Sequence, residues 1–352
     1  METVKRVAFR GGLLLAGYAA YRRILAPLMD ENHSCASVRS VRTGDYRQSK
    51  SSPGKCPDEH LFPYKFVNQD GLLIHWKEWL PKGPRRNYTG YAVLVHGFGE
   101  HIGRYEHVAK ALNALGLVVY GMDHQGHGQS EGDRAYAKRF SHFVDDVIIL
   151  CDIAKRRNVG APNAFLIGHS MGGLIAAHTA LRTNKRWTGV VLSAPLMKAN
   201  PKDATPTMVA IANTLSSLLP KLTLDPVPPT GLSHDKNVVA TYQSDPLCYG
   251  GGVSVRVASE FLAAMDSAKR LAPAEFHCPL LLLHGTRDEL CLIEGSAEFY
   301  EAASTPREAK AFKRYEGAFH EIFNESPRDG DGRSQALCDA LEWIHDYINM
   351  KK

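Results

Sequence analysis

The chain of 352 residues carries seven cysteines, an odd number, and no two of them form a C-x-x-C pair. Cys35, Cys56, Cys151, Cys248, Cys278, Cys291 and Cys338 are scattered, which excludes a disulfide framework and reads as reduced thiols. Charge of one sign is also scarce. The formal net charge is +5, and +4 of it falls in residues 1–29, where Lys5, Arg6, Arg10, Arg22 and Arg23 face only Glu2. The rest of the chain is nearly neutral and offers no broad basic face, so nucleic acid is excluded as a partner. No Walker or Rossmann glycine signature appears, and no internal repeat, so no cofactor is expected. His96 with His101, and His124 with His127, have ligand-like spacing. Their neighbouring glycines point to turns and no third ligand cluster accompanies them, so no metal is expected.

An apolar run long enough for an unaided membrane span is missing at the N-terminus. The uninterrupted run from Gly11 to Tyr21 has 11 residues, about 16 Å as a helix against a hydrocarbon core of about 30 Å. Residues 1–29 therefore keep three readings. They are an anchor whose Arg10, Arg22 and Arg23 snorkel or sit on anionic lipid, a targeting peptide that is removed, or a plain surface helix. The first places the protein at an intracellular membrane surface; the second sends it to an organelle or along the secretory route. Sequons at Asn32, Asn87 and Asn324 do not decide the compartment.

Residues 30–60 are polar, Ser-rich and aperiodic, the composition of a flexible linker. The folded body starts near Leu61. YKFVN and LLIHWKEWL flank an Asp-Gly turn, a hairpin signal. Beyond it, continuous apolar runs at 91–97, 117–123, 164–170, 189–195 and 279–285, and a last strand at 309–317, alternate with helical stretches such as RYEHVAKALNAL and SHFVDDVIILCDIAKR. Apolar runs of this kind, spaced by helices, predict an α/β fold with a mostly parallel central sheet covered by helices on both faces. Ligands in such sheets bind beyond the carboxyl ends of the strands. Residues 61–196 and 273–352 form this core, and 197–272, which break the alternation, are an inserted helical cap. Within the cap, Met208, Ile211, Leu215, Leu218, Leu219 and Leu222 recur at three- and four-residue steps until Pro220 interrupts them. The stripe packs on the body or faces a lipid at the site's entrance.

In AFLIGHSMGGL, residues 164–174, an apolar run ends in Ser170, fenced by Gly168, Gly172 and Gly173. A strand turning sharply into a helix needs such small neighbours, so Ser170 is placed on the tip of a nucleophile elbow. The helix N-terminus behind it favours a developing oxyanion. The N–H of Met171 is one candidate donor, and that of Phe98, in the Gly-flanked HGFGEH loop, is the second. A serine hydroxyl needs a base, and the base an acid to fix its tautomer. Asp288 follows the strand LLLLHG and His320 follows the last strand, so the order Ser170, Asp288, His320 is that of an α/β-hydrolase triad. Asp123 is the rival acid, but it precedes the serine and is expected to brace a turn. Glu289 is a weaker rival.

Taken together, HGFGEHIGRY, YGMDHQGHGQSEGDR, GHSMGGLIA, LSAPLM, YQSDPL, HGTRDELC and YEGAFHEIFNE resemble the monoacylglycerol lipases and the related lysophospholipase-like and caffeoylshikimate-esterase-like serine hydrolases. The resemblance covers about residues 63–348. It implies Ser170 as nucleophile, Asp288 as orienting acid, His320 as base, and Phe98 and Met171 as oxyanion donors. It further implies that Glu100 and Arg104 help shape or hold the polar end of the site, where glycerol would sit, and that Cys291 places a thiol near the pocket. Arg104 as a structural ion-pair partner and Cys291 as an inert buried thiol stay open beside these roles. The apolar cap positions Leu215, Leu218 and Leu219 would hold an acyl chain. The expected activity is hydrolysis of a single-chain acyl ester, first of all monoacylglycerol. Alternatives are a lysophospholipase, a phenylpropanoid esterase, an acyltransferase, and a catalytically idle receptor on the same fold. Oligomeric state is not legible.

Overall fold

The computed structural model describes residues 64–183, 186–199, 210, 214–325 and 334–350. The N-terminal segment 1–29, the linker 30–60, Met208 and Ile211 lie outside the described residues. The chain opens with a hairpin, β1 (Lys65–Val67) paired antiparallel to β2 (Leu73–Trp79). Its turn contains Gly71 at a φ of 74°, a left-handed conformation that suits glycine. Six strands then run parallel: β3 (Gly90–Val95), β4 (Leu117–Met122), β5 (Ala164–His169), β6 (Gly189–Ser193), β9 (Leu280–Gly285) and β10 (Lys310–Tyr315). The eight-stranded order is β1-β2-β4-β3-β5-β6-β9-β10, with β5 near the middle.

The helices are α1 (Glu106–Ala114), α2 (Phe140–Arg157), α3 (Met171–Arg182), α4 (Lys236–Ser244), α5 (Val255–Glu275), α6 (Ile293–Ala302) and α7 (Gln335–Asn349). Side chains alternate across each strand, and here both faces are covered. Val93, Val95, Leu166, Leu280 and Leu282 pack with residues of α2, α3, α5 and α6. Their neighbours Leu94, Phe165, Ile167, Leu281 and Leu283 join α1 and α7 on the other face. This explains the unbroken apolarity of the strands. Burying each such side chain contributes about 1.5–3 kcal/mol, which offsets the entropy of ordering the sheet.

Between β6 and β9 the described residues include a short helical turn at 214–218, α4, and a two-stranded ribbon of β7 (Thr223–Pro226) and β8 (Gly252–Ser254) separate from the central sheet. The expected boundary between residues 272 and 273 falls inside α5, which runs through it with Pro273 in its last turn. Its apolar face, including Val257, Phe261, Ala264 and Ala268, belongs to the core beside α3. Among the described residues, no helix is long and apolar enough to cross a membrane.

Candidate active site

Ser170 stands between β5 and α3 with φ 55° and ψ −123°, a strained backbone for a residue with a Cβ. The neighbours hold it there. Its N–H donates to the Ser193 carbonyl at 3.0 Å, and its own carbonyl accepts from Gly173 at 2.9 Å and Leu196 at 3.0 Å. The glycines are required by space, since a Cβ at Gly168 would overlap the Gly172 carbonyl oxygen and one at Gly172 would overlap that of Val95.

Asp288, after β9, and His320, after β10, meet in a 2.7 Å contact between Asp288 Oδ2 and His320 Nδ1. Asp288 Oδ1 accepts from the N–H groups of Leu290 at 2.8 Å and Cys291 at 2.9 Å. Burial would raise this carboxyl, but the charges and hydrogen bonds of His320 and His284 hold it well below the usual carboxylate range. The His320 imidazole is pushed the other way. Burial lowers it, the charge and hydrogen bond of Asp288 and the charges of Glu321 and Glu100 raise it, and the net direction is upward. His169 packs on its ring at a centroid distance of 4.7 Å and is itself lowered to about 4, by burial and by His320. The Ser170 hydroxyl is turned toward Cys291, with Oγ and Sγ 3.9 Å apart, and makes no hydrogen bond to His320 among the described residues. Cys291 is buried, and burial with the Asp288 charge raises its thiol well above the ordinary value, so it stays protonated.

The loop after β3 approaches from the other side. A Cβ on Gly97 would lie 3.1 Å from the Ser170 Cβ. Neither the Phe98 nor the Met171 N–H has an acceptor among the described residues. Glu100 supports this loop from within. Its Oε1 accepts from the Gly97 N–H and the Tyr105 hydroxyl, each at 2.7 Å, and its Oε2 meets Arg104 at 2.8 Å. Arg104 in turn grips Glu321 with both terminal nitrogens, at 2.6 and 2.8 Å. Glu100 and Arg104, expected to shape or hold the polar end of the site, are buried supports of this loop, with each carboxylate oxygen and both terminal guanidinium nitrogens already partnered.

The cap stripe also differs from a sealed channel. Leu215 and Leu222 are half-buried, whereas Leu218 is 72% and Leu219 44% exposed, with Leu224 and Val227 exposed nearby in sequence. Asp123 is occupied as a brace, accepting from the Ile102 and Gln129 N–H groups at 2.8 Å each and contacting His75 Nδ1 at 3.1 Å. His96, His124 and His127 are buried beside it with their rings tilted or edge-on to one another, and His96 is lowered to about 3 and His127 to about 4, chiefly by burial.

Sequence reasoning missed several contributors. Glu321 adjoins His320, but nothing local announces a partner 217 residues away. The segment from Tyr242 to Tyr249 clips the loop after β3: the Tyr249 N–H reaches the Gly99 carbonyl at 2.7 Å and His101 Nε2 reaches Asp245 Oδ2 at 2.8 Å. His101, Asp245 and Cys248 are the described group whose potential ligand atoms all come within 4.8 Å of one another. Hydrogen bonding accounts for the imidazole, since His101 Nδ1 accepts from the Gly103 N–H and its proton therefore sits on Nε2, where a metal would need the lone pair. A cavity of about 640 Å³ lies at the opposite end of the sheet, lined by Tyr91, Ala164 and Thr188 with Lys155, Arg156 and Arg186, and includes none of the site residues.

A parallel sheet with a strained serine at a central strand-to-helix turn, and an acid–imidazole pair from two later strands, defines the class: an α/β hydrolase. The family model described as serine aminopeptidase S33 matches residues 87–327, and the chain belongs to that family. It is 39% identical over 282 residues to the monoglyceride lipase of Homo sapiens, covering 79% of this chain and 90% of that protein. It is 33% identical over 285 residues to the monoacylglycerol lipase of Mycolicibacterium smegmatis, covering 81% and 97%. The crystal structure of the Paleococcus ferrophilus monoacylglycerol lipase superposes with a TM-score of 0.67 at 32% identity, covering 78% of this chain and 99% of that one.

Proposed function

We propose that this chain is a serine ester hydrolase that cleaves monoacylglycerol to glycerol and a fatty acid through an acyl-enzyme on Ser170. The observation that carries the reading is the Asp288–His320 pair brought to the same rim as the strained Ser170 elbow. The names of the lipase relatives support the substrate class. Rotation about its Cα–Cβ bond takes the Ser170 hydroxyl from Cys291 to His320 Nε2 when substrate binds, an adjustment common in free enzymes. Oγ then attacks the ester carbonyl carbon as His320 takes its proton. The tetrahedral oxyanion is held by the N–H groups of Phe98 and Met171, each contributing about 3 kcal/mol to the transition state. Collapse breaks the ester bond, and glycerol leaves with the proton from His320. Water adds to the acyl-enzyme, giving a proton to His320, which returns it to Ser170 as the fatty acid departs. Asp288 stays ionised throughout and fixes the imidazole tautomer.

The described residues 214–254, ahead of α5, serve as the cap, and Leu215, half-buried, flanks the acyl chain. The exposed Leu218, Leu219, Leu224 and Val227 give the cap an apolar face for the lipid surface that holds the substrate. The decisive experiment uses a fluorophosphonate probe and monoacylglycerols of rising chain length. Labelling and hydrolysis that vanish together in Ser170→Ala, with rates that climb with chain length at about 0.8 kcal/mol per buried CH₂, support the reading. Labelling without lipid hydrolysis, or indifference to chain length, overturns the substrate assignment.

A further inference from the structure

The loop that carries the expected oxyanion donor and the loop that carries His320 are tied by one buried guanidinium. On one side, Glu100 holds the Gly97 N–H and the Tyr105 hydroxyl through Oε1 and meets Arg104 through Oε2. On the other, Arg104 forms a two-point pair with Glu321, the residue after His320. The pair is extended in both directions. Asn324 donates to Glu321 Oε2 at 2.9 Å, the Glu321 N–H donates to the Leu232 carbonyl at 2.7 Å, and Arg104 lies 5.2 Å from the centre of the Tyr242 ring. All three charged side chains are less than 10% exposed. Two carboxylates against one guanidinium leave a net charge of −1 beside the imidazole.

We propose that Arg104 and Glu321 are positioning residues for the hydrolysis, a clamp that keeps the oxyanion loop and the imidazole loop in mutual register while the uncompensated carboxylate sets the basicity of His320. This rests on the assignment of Ser170 and His320 made above. A bidentate Arg–carboxylate pair in a buried setting fixes orientation as well as distance, which a lysine cannot reproduce. The second effect follows from the charge balance. The groups facing His320 are Asp288 after β9, with His284 of β9 behind it, His169 of β5, Glu321 on its own loop, and Glu100 with Arg104 after β3. Of these, Asp288, Glu321 and Glu100 favour the imidazolium, His169 opposes it, and His284 draws on Asp288; the Arg104 cation opposes it by like charge. Removing the Glu321 charge tips the balance against the protonated ring.

The test is the pH dependence of kcat/KM on a soluble short-chain ester, with melting curves to confirm folding. Glu321→Gln keeps the shape and removes the charge, and its acid limb should move to lower pH by roughly 0.5–1 unit. Glu321→Asp keeps the charge and shortens the reach; its limb should stay in place while kcat falls by roughly tenfold. Arg104→Lys should behave like Glu321→Asp, with an unmoved limb and a reduced kcat. A folded Glu321→Gln enzyme whose acid limb stays where the parent's lies overturns the charge role. Unchanged kcat in both Arg104→Lys and Glu321→Asp overturns the clamp. Ser170→Ala, run alongside, separates these failures from failure of the hydrolase reading, since only the latter leaves that variant active.

Discussion

Asp123 and Asp288 occupy equivalent stations, each in the loop beyond the carboxyl end of a parallel strand, each almost fully buried, and each beside an imidazole. Both are held well below the usual carboxylate range, because hydrogen bonds and neighbouring histidines outweigh the cost of burial. Their surroundings nevertheless give them different work. Asp123 ties together three segments, the N–H of Ile102, the N–H of Gln129 and the ring of His75 on β2. That ring stands three strands away from β5 in the sheet order. Asp288 spends one oxygen on its own turn and offers the other to His320, whose ring packs against His169 at the foot of the Ser170 elbow. The same side chain is a brace in one loop and, in the proposed mechanism, the orienting acid in the other. What separates them is the neighbour of their histidine, and neither burial nor basicity distinguishes them.

The sharpest way to break this contrast is a matched pair of asparagine variants. Asp288→Asn should lower kcat by about 10⁴-fold in protein that still folds, since the amide can favour the wrong imidazole tautomer. Asp123→Asn should instead lower stability by about 1–3 kcal/mol in denaturant melts, because the amide places a donor among donors, with kcat inside a tenfold range. Folded Asp123→Asn protein that is inert, or Asp288→Asn protein that turns over normally, would erase the distinction. A smaller effect is the pH profile. A raised His320 must be neutral to act, so kcat/KM should fall as pH drops through an acid limb above about 6.5, and Asp123→Asn should leave that limb in place. Stability tells the complementary story. Asp123, depressed in the folded state, stabilises the protein above the unfolded carboxylate range and loses that contribution as pH falls below about 4, so acid unfolding should be shallower in Asp123→Asn. The smallest change is expected from Leu218→Ser. As an exposed position, it should alter melting by less than about 0.5 kcal/mol and leave soluble-ester hydrolysis alone, while slowing hydrolysis of substrate embedded in vesicles.

Much of this molecule could be read before any coordinates. The strands at 91–97, 117–123, 164–170, 189–195, 279–285 and 309–317 coincide with β3, β4, β5, β6, β9 and β10 to within two residues at either end. The Asp-Gly turn lies between β1 and β2 as expected. Ser170 was found because its glycine fence is a local steric demand. The cap was harder. Its stripe had helical spacing, yet spacing does not say what covers a face, and Leu218 and Leu219 proved to be open to solvent. The end of the insertion has no local mark in the sequence, because α5 runs unbroken through 272 and its apolar face continues onto the body.

The sequence alone determined what short stretches can encode: the period of apolar residues, the turns, and the small neighbours of a sharp bend, all governed by sterics over a few positions. Tertiary structure decided which charges meet. The pairing of Arg104 with Glu321 spans 217 residues and that of His101 with Asp245 spans 144. Such contacts depend on the order of strands in the sheet, and a buried charge takes its role from whichever opposite group folding brings within a few ångströms.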